Sequence, residues 1–277
     1  MADLVVIVAF GITVLLEFLF PLAFAAWMIK KYRLSWRVFG FGALFFFLIQ
    51  IPHTPLVLVI QGPLYTTLTA VFVDPTVTLA IFSIVLGLLA GIFEETGRYL
   101  VFTRFFPRND ISYSRKNGVL FGAGWGGIES MIIGSLVLLT MVSYIFAVPL
   151  TDEAIQQINQ SIGGTLTAEQ ITQLKAQNEA LLGLTPLDPF IGLVERLMTF
   201  PIHIAFSLLV LASVVQNRPL LLLLAILWHT ILDALAVFLA QTAGIIAAEG
   251  AVAAMLVVGL VYIWLSMRGP DFYKPAA

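Results

Sequence analysis

The sequence contains no cysteine, and only 11% of its 277 residues are charged. The lack of cysteine excludes disulfide bonds, thiolate metal sites and a catalytic cysteine. The formal net charge of -2 argues against a nucleic-acid partner. Apolar residues make up 60% of the chain, with a mean hydropathy of +1.00. This composition predicts an all-α, polytopic membrane helical bundle.

Seven apolar runs are long enough to cross a hydrocarbon core of about 30 Å at about 1.5 Å per residue. They cover residues 4–29, 38–60, 77–103, 117–148, 190–215, 219–241 and 244–266. The first run is longer than a signal-peptide core and its lysines follow it, so we interpret it as a retained span. We expect a single integral-membrane domain over 1–277, in contact with the lipid bilayer.

Basic residues indicate the orientation of the spans. Eleven of the 14 lysines and arginines lie on every second connection or after the last span. Because successive spans cross the membrane in opposite directions, these positions lie on the same side of it. This bias predicts an N-terminus outside and a C-terminus in the cytoplasm. The connection 149–189 is then an extracytoplasmic amphipathic loop, in which Thr167 and Gln170 have the spacing of a helix capping box. We expect one or two interfacial helices there, a reading favoured over a substrate lid because the loop has no catalytic pattern.

Two adjacent carboxylates, Glu94 and Glu95, interrupt the third apolar run. An ionised group near the bilayer centre costs about 3 kcal/mol on insertion scales, so such groups usually face a partner or a water-filled cavity. Arg98 follows at helical spacing and can neutralise one of the two acids. One paired and one unpaired carboxylate would suit separate general acid and general base roles.

Other polar residues occur at similar depth in three further spans. Measured from the flanking charges, Glu94, Glu129 and His229 lie roughly 15–20 Å from the cytoplasmic edge. His229 and Asp233 are i and i+4, so the carboxylate can orient the imidazole. We therefore expect a shared cavity on the cytoplasmic side. The predicted set also includes Arg196 and His203, which are i and i+7 and therefore lie on one helix face. Its last member, Trp125, lies in the glycine-rich segment 122–127, which predicts close helix packing.

Three further intramembrane residues are interpreted as structural. Glu17 and His53 are expected to be interhelical hydrogen-bond partners, because polar groups often join membrane helices. His53 lies between two prolines, where it can cap a kink. Glu195 is expected to pair with the adjacent Arg196 near the outer end of its span.

Carboxylates and imidazoles in a membrane cavity suit the activation of water for peptide-bond hydrolysis. The same set could bind a zinc ion that lowers the pKa of water. The His-Glu-x-x-His and Gly-x-Ser-x-Gly patterns are both absent. Acid and histidine chains also build proton relays, so a proton-coupled transporter or a membrane sensor is the alternative, although no inverted repeat favours transport.

These motifs together resemble the YhfC-type membrane peptidases, which belong with PrsW and the type II CAAX prenyl proteases and bacteriocin-processing enzymes. The resemblance covers about residues 79–235. It implies an intramembrane endopeptidase of the glutamic type that acts on a membrane protein or peptide, and a location in a prokaryotic cell membrane. The implied catalytic residues are Glu94 or Glu95 as the base, His203 and His229 as helpers and Asp233 at an Asn/Asp position, with Arg98, Trp125, Glu129 and Arg196 in support.

The chain departs from these relatives at two positions. Arg98 is three residues after Glu95, as in the PrsW-like pattern, whereas the CAAX branch places its arginine four residues after the second glutamate. Trp125 occupies a place where YhfC-type sequences tend to carry histidine, so a catalytically inactive relative that acts as a binding protein is a further alternative. The family is described both as metal-dependent and as metal-independent; a divalent metal such as zinc stays open as a cofactor, and no metal ligands are assigned.

Overall fold

A computed structural model describes residues 3–269 of the chain, and the regular elements in that range are helices. The helix α1 covers Leu4–Tyr32, α2 covers Trp36–Val71 and α3 covers Pro75–Leu100. A π-helical turn, Val101–Phe105, and a helical turn, Phe106–Arg108, continue α3. The remaining helices are α4 (Arg115–Phe146), α5 (Asp152–Ser161), α6 (Ala168–Leu182), α7 (Asp188–Val215), α8 (Pro219–Thr242) and α9 (Ile245–Arg268).

Within residues 3–269, 7 helices are long and apolar enough to cross a membrane, which confirms the predicted number of spans. The main difference is in α2, which continues to Val71 although the prediction ended at residue 60. It includes Pro52, Pro55 and Pro63. Proline is tolerated in membrane helices because neighbouring groups satisfy the freed carbonyls. Its presence therefore does not mark the end of this helix.

The segment between the fourth and fifth spans contains the two short helices α5 and α6. Thr167 caps α6, and the reciprocal bond from the side chain of Gln170 completes the predicted capping box. The side chain of Asn178 in α6 accepts from the amide of Leu150 and donates to the carbonyl of Val148. The beginning of the segment is thus fastened to α6.

The chain forms two compact units. The first consists of Met1–Phe18 and Ile132–Val194, and the second of Leu19–Met131 and Glu195–Ala277. Val6, Phe10 and Tyr144 pack in the core of the first unit. A core cluster of the second unit contains Ile202, Phe206, Leu232 and Val252. All of the predicted catalytic and supporting residues belong to the second unit.

Glycines allow the helices of the second unit to approach closely. A Cβ atom at Gly122 of α4 would lie 2.7 Å from the Cα of Ile204 in α7. A Cβ atom at Gly91 of α3 would lie 2.7 Å from the carbonyl oxygen of Ile226 in α8. Side chains at these positions would separate the helices, so the glycine-rich segment has the packing role that the sequence predicted. This packing brings the polar residues of α3, α4, α7 and α8 together.

Candidate active site

Arg98 is the central residue of the candidate site. Its guanidinium group is fully buried, donates from Nη1 to Oε1 of Glu95, and has Nη2 3.4 Å from Oε2 of Glu94. All three residues lie on one face of α3 because they are three and four residues apart. The guanidinium carbon is also 4.3 Å from the centre of the Trp125 ring, a distance suited to a cation–π contact. Arg98 thus contacts both acids of the predicted pair.

Glu94 accepts hydrogen bonds at both carboxylate oxygens. The indole Nε1 of Trp125 donates to Oε2 at 2.9 Å, and the amide Nε2 of Gln50 donates to Oε1 at 3.2 Å. The side chain of Glu94 is 8% exposed, whereas that of Glu95 is fully buried. Glu94 is therefore held by residues of three helices and is the more accessible of the two acids.

His203 connects Arg98 with Glu129. Nη2 of Arg98 is 2.7 Å from Nδ1 of His203, and Nε2 of His203 is 2.5 Å from Oε2 of Glu129. Because arginine can only donate, Nδ1 must accept, and the ring proton is then on Nε2 and points to Glu129. Both ring nitrogens of His203 are therefore engaged by these two contacts.

A second arginine lies at the far side of Glu129. Nη1 of Arg196 is 2.5 Å from Oε1 of Glu129, and its Nη2 donates to Glu195. The pairing of Glu195 with Arg196 confirms the interpretation made from the sequence. Since Arg196 and His203 contact opposite oxygens of Glu129, their predicted common helix face is also confirmed. Glu129 thereby joins α4 to α7 through two charged or polar contacts.

His229 lies between two carboxylates. Its Nδ1 is 2.7 Å from Oε1 of Glu95, and its Nε2 is 3.5 Å from Oδ2 of Asp233. The sequence indicated only Asp233 as the residue that orients this imidazole, but Glu95 is the closer partner. Phe206 stacks on the ring, with centroids 4.8 Å apart and planes at 9°. The side chain of Asp233 is 35% exposed, so this end of the network is accessible.

All of the predicted catalytic and supporting residues thus form one connected network. Gln50 also belongs to it and was not predicted. Its Oε1 accepts from Thr54 and is 3.0 Å from Nδ1 of His53, which joins His53 to Glu94 through one amide. The sequence signal for Gln50 is an amide side chain within an apolar run, three residues before His53. Glu17, in the first unit, is buried against Gly134, and its role as an interhelical hydrogen-bond partner stays a prediction.

The fold and the network define a polytopic membrane protein with acids, histidines and arginine buried in one hydrogen-bonded cluster. A model of the YhfC intramembrane metalloprotease family matches residues 14–257. The membrane protein YhfC of Bacillus subtilis strain 168 is 31% identical over 249 residues, which cover 89% of this chain and 88% of that protein. The chain therefore belongs to the YhfC family, an intramembrane protease family, which confirms the resemblance. No solved structure matches it.

The family description implies a metal ion, for which imidazoles and carboxylates are suitable ligands. The nitrogens of His203 do not fit this role here, because Nδ1 accepts from Arg98 and Nε2 faces Glu129. The guanidinium group of Arg98 also contacts both Glu94 and Glu95, where a metal cation would have to bind to contact both carboxylates. No three histidine or acidic side chains within residues 3–269 are arranged to hold a metal ion. The arrangement therefore fits a guanidinium-centred site better than a metal centre.

Proposed function

We propose that this protein is an intramembrane endopeptidase in which a glutamate activates water to hydrolyse peptide bonds of membrane-embedded or membrane-proximal substrates. The observation that carries the proposal is the network around Arg98, in which two adjacent acids and two histidines meet within the spans. Burying so many ionisable groups in a membrane is costly, and such groups usually serve function. Membership of an intramembrane protease family supports the same reaction class.

Glu94 is the proposed base. The ion pair of Arg98 is closer with Glu95 than with Glu94, and Glu95 is also bound to His229. Glu95 is therefore suited to hold Arg98 and His229 in place, since its charge is already engaged by both. Glu94 has the more distant arginine contact and the more exposed side chain. It can accept a proton from a water molecule that enters beside it.

His229 is the proposed electrophilic partner. When doubly protonated, its ring can donate to both carboxylates, and a substrate oxyanion can replace Asp233 as the acceptor at the longer contact of 3.5 Å. His203 has no free nitrogen and is proposed to position Arg98 instead of touching the substrate. Glu129, which Arg196 holds in place, then fixes the tautomer of His203. The predicted cytoplasmic position of the cavity is part of this proposal.

The test is mass spectrometry of a library of transmembrane peptides incubated with the purified protein in lipid. We expect new fragments from the wild type and a loss of at least about 100-fold in rate for Glu94→Gln, the scale of removing a general base. Glu17→Gln is the matched control, because it removes a buried glutamate of the first unit that lies outside the network. Unchanged fragments from both Glu94→Gln and Glu95→Gln would contradict the proposal.

The same incubation with a metal chelator distinguishes activation of water by a glutamate from activation by a metal ion. Because Arg98 occupies the centre of the network, we expect cleavage to persist in the chelator. Cleavage that is lost with the chelator and restored by zinc would instead assign the activation of water to a metal ion. If no variant and no peptide gives fragments, measurement of proton flux in vesicles tests the transporter alternative.

A further inference from the structure

A polar pocket lies at the ends of the spans, apart from the candidate active site. Its volume is about 280 Å³, and it is formed where the α1–α2 loop meets the connection between the end of α3 and the beginning of α4. The charged and amide side chains that line it come from these connections and from the first turns of α2 and α4, and they are Arg33, Arg37, Asn109, Asp110 and Asn117. We call this cavity the headgroup pocket. Nothing in the proposed hydrolysis uses it.

The arginines of the headgroup pocket are available to an anion. Arg37 donates one N–H to Oδ1 of Asn109 at 2.8 Å, which holds the guanidinium at the pocket and leaves its other donors open. Arg33 has no ion pair or side-chain hydrogen bond with any residue in the described range 3–269. Asn117 is buried, with 8% of its surface exposed, and lines the same cavity. Two guanidinium groups around a concave polar cavity suit a phosphate group.

The pocket also contains one carboxylate, that of Asp110. A carboxylate repels a phosphate but accepts hydrogen bonds from an ammonium or hydroxyl group. The complete lining therefore suits a ligand with a phosphate at one end and N–H or O–H donors at the other. Phosphodiester headgroups that end in ethanolamine or glycerol have this arrangement.

The surroundings of the pocket place it at the level of lipid headgroups. Trp27 and Trp36 are 50% and 49% exposed, and aromatic residues of this kind concentrate at the membrane–water interface. The ammonium group of Lys31 lies 4.7 Å from the centre of the Trp27 ring, and that of Lys116 lies 5.0 Å from the Tyr32 ring. Basic pockets between the ends of spans are known to take lipid headgroups.

We propose that the headgroup pocket binds the phosphodiester headgroup of a membrane lipid, with the phosphate at Arg33 and Arg37 and the donor end at Asp110. The site is independent of the proposed peptidase activity. Its three charged residues have different tasks, because the arginines bind the phosphate and Asp110 distinguishes headgroups with donors from headgroups without them.

The test is native mass spectrometry of the purified protein titrated with dioctanoyl phosphatidylethanolamine, phosphatidylglycerol or phosphatidylcholine. We expect the first two lipids to bind and phosphatidylcholine, whose headgroup has no N–H or O–H donor, to bind more weakly. Arg33→Gln should weaken binding about tenfold, the loss expected for one charge-assisted hydrogen bond. Arg218→Gln removes the same charge from an exposed residue outside the pocket and should bind as the wild type does.

Two results would overturn the proposal. Equal lipid binding by wild type and Arg33→Gln would show that the pocket does not hold the phosphate. Arg33-dependent binding of inorganic phosphate or glycerol 3-phosphate at the affinity of the lipids would assign the pocket to a soluble phosphate compound. Asp110→Asn is the second variant, and it should remove the discrimination against phosphatidylcholine. Arg33 has no partner in the described chain, so its substitution should leave the fold intact.

Discussion

Replacing Trp125 by phenylalanine removes one hydrogen-bond donor from the candidate site and keeps an aromatic ring in place. The indole Nε1 donates to Oε2 of Glu94 at 2.9 Å, whereas the other donors to this carboxylate, Gln50 and Arg98, are 3.2 and 3.4 Å away. The indole bond is therefore the shortest of the three and the main restraint on the proposed base. Its loss should loosen Glu94, which then keeps only the two longer contacts with Gln50 and Arg98.

A hydrogen bond to a charged group contributes about 1.5–3 kcal/mol, which corresponds to roughly a 10- to 100-fold change in rate. We expect a fall of this size in kcat/KM for Trp125→Phe, provided that the bond orients the base in the transition state. The assay is the rate of cleavage of a transmembrane peptide identified from the library, measured in lipid at several substrate concentrations. Thermal unfolding of each variant is followed in parallel.

Trp228→Phe is the matched control. The indole Nε1 of Trp228 is buried and has no hydrogen-bond partner within residues 3–269, so phenylalanine removes ring volume without removing a bond. Trp228→Phe should lose some thermal stability and little activity. Equal losses of kcat/KM in both variants, or wild-type activity in Trp125→Phe, would refute the argument that the indole positions Glu94.

Two further predictions concern packing and pH. A Cβ atom at Gly124 would lie 2.0 Å from the carbonyl oxygen of Phe39, so Gly124→Ala should cost about 1–3 kcal/mol of stability and lower Tm. Gly40→Ala is the control, since nothing lies within 4 Å of its Cβ position. The hydrogen bond and ion pair with Lys175 lower the pKa of Asp152, so this contact stabilises the protein above the unfolded-state pKa and is lost as the pH falls through the lower folded-state pKa. The protection factors of the α5 and α6 amides, corrected for the intrinsic exchange rate, should therefore fall as the pH drops through the lowered pKa of Asp152, and Asp152→Asn should abolish this fall.

The spans and the members of the site could be predicted because both follow from the cost of polar groups in lipid. Glu94, Glu95 and Arg98 have helical spacing within an apolar run, so their pairing is a local property of α3. The interaction of Arg196 with Glu195 is local in the same way. Such contacts need no knowledge of how the helices pack.

Contacts between helices were harder to predict. The bond from Trp125 to Glu94 and that from Gln50 to Glu94 depend on the rotation of α2 and α4 against α3. Hydropathy does not determine this rotation, because an amide or an indole in a span can face lipid, a helix or a cavity. The tautomer of His203 could not be predicted from the sequence either, since it depends on contacts with both Arg98 and Glu129.

The predicted end of α2, at residue 60, was wrong for a different reason. Proline within a soluble helix usually marks a boundary, and the apolar run thins after residue 60. In the structure the helix continues through Pro63 to Val71. Thr66 and Thr67 donate their hydroxyl groups to the carbonyls of Gly62 and Pro63, which supplies local hydrogen bonds around the proline. These bonds do not reach the carbonyl of Val59, which loses its helical partner at Pro63. In a membrane helix, neighbouring groups can satisfy such a carbonyl, so proline does not mark the end of α2.

The arrangement of charges on α3 also affects how the protein is made. Glu94, Glu95 and Arg98 pair within about one turn of the same helix, so this segment carries a counter-ion for one of its two acids when it enters the bilayer during synthesis. Each unpaired charge at the bilayer centre would add about 3 kcal/mol to that step. The histidine partners come from α7 and α8, which are synthesised later. The central charges can thus be inserted into the membrane before the helices that complete the site exist.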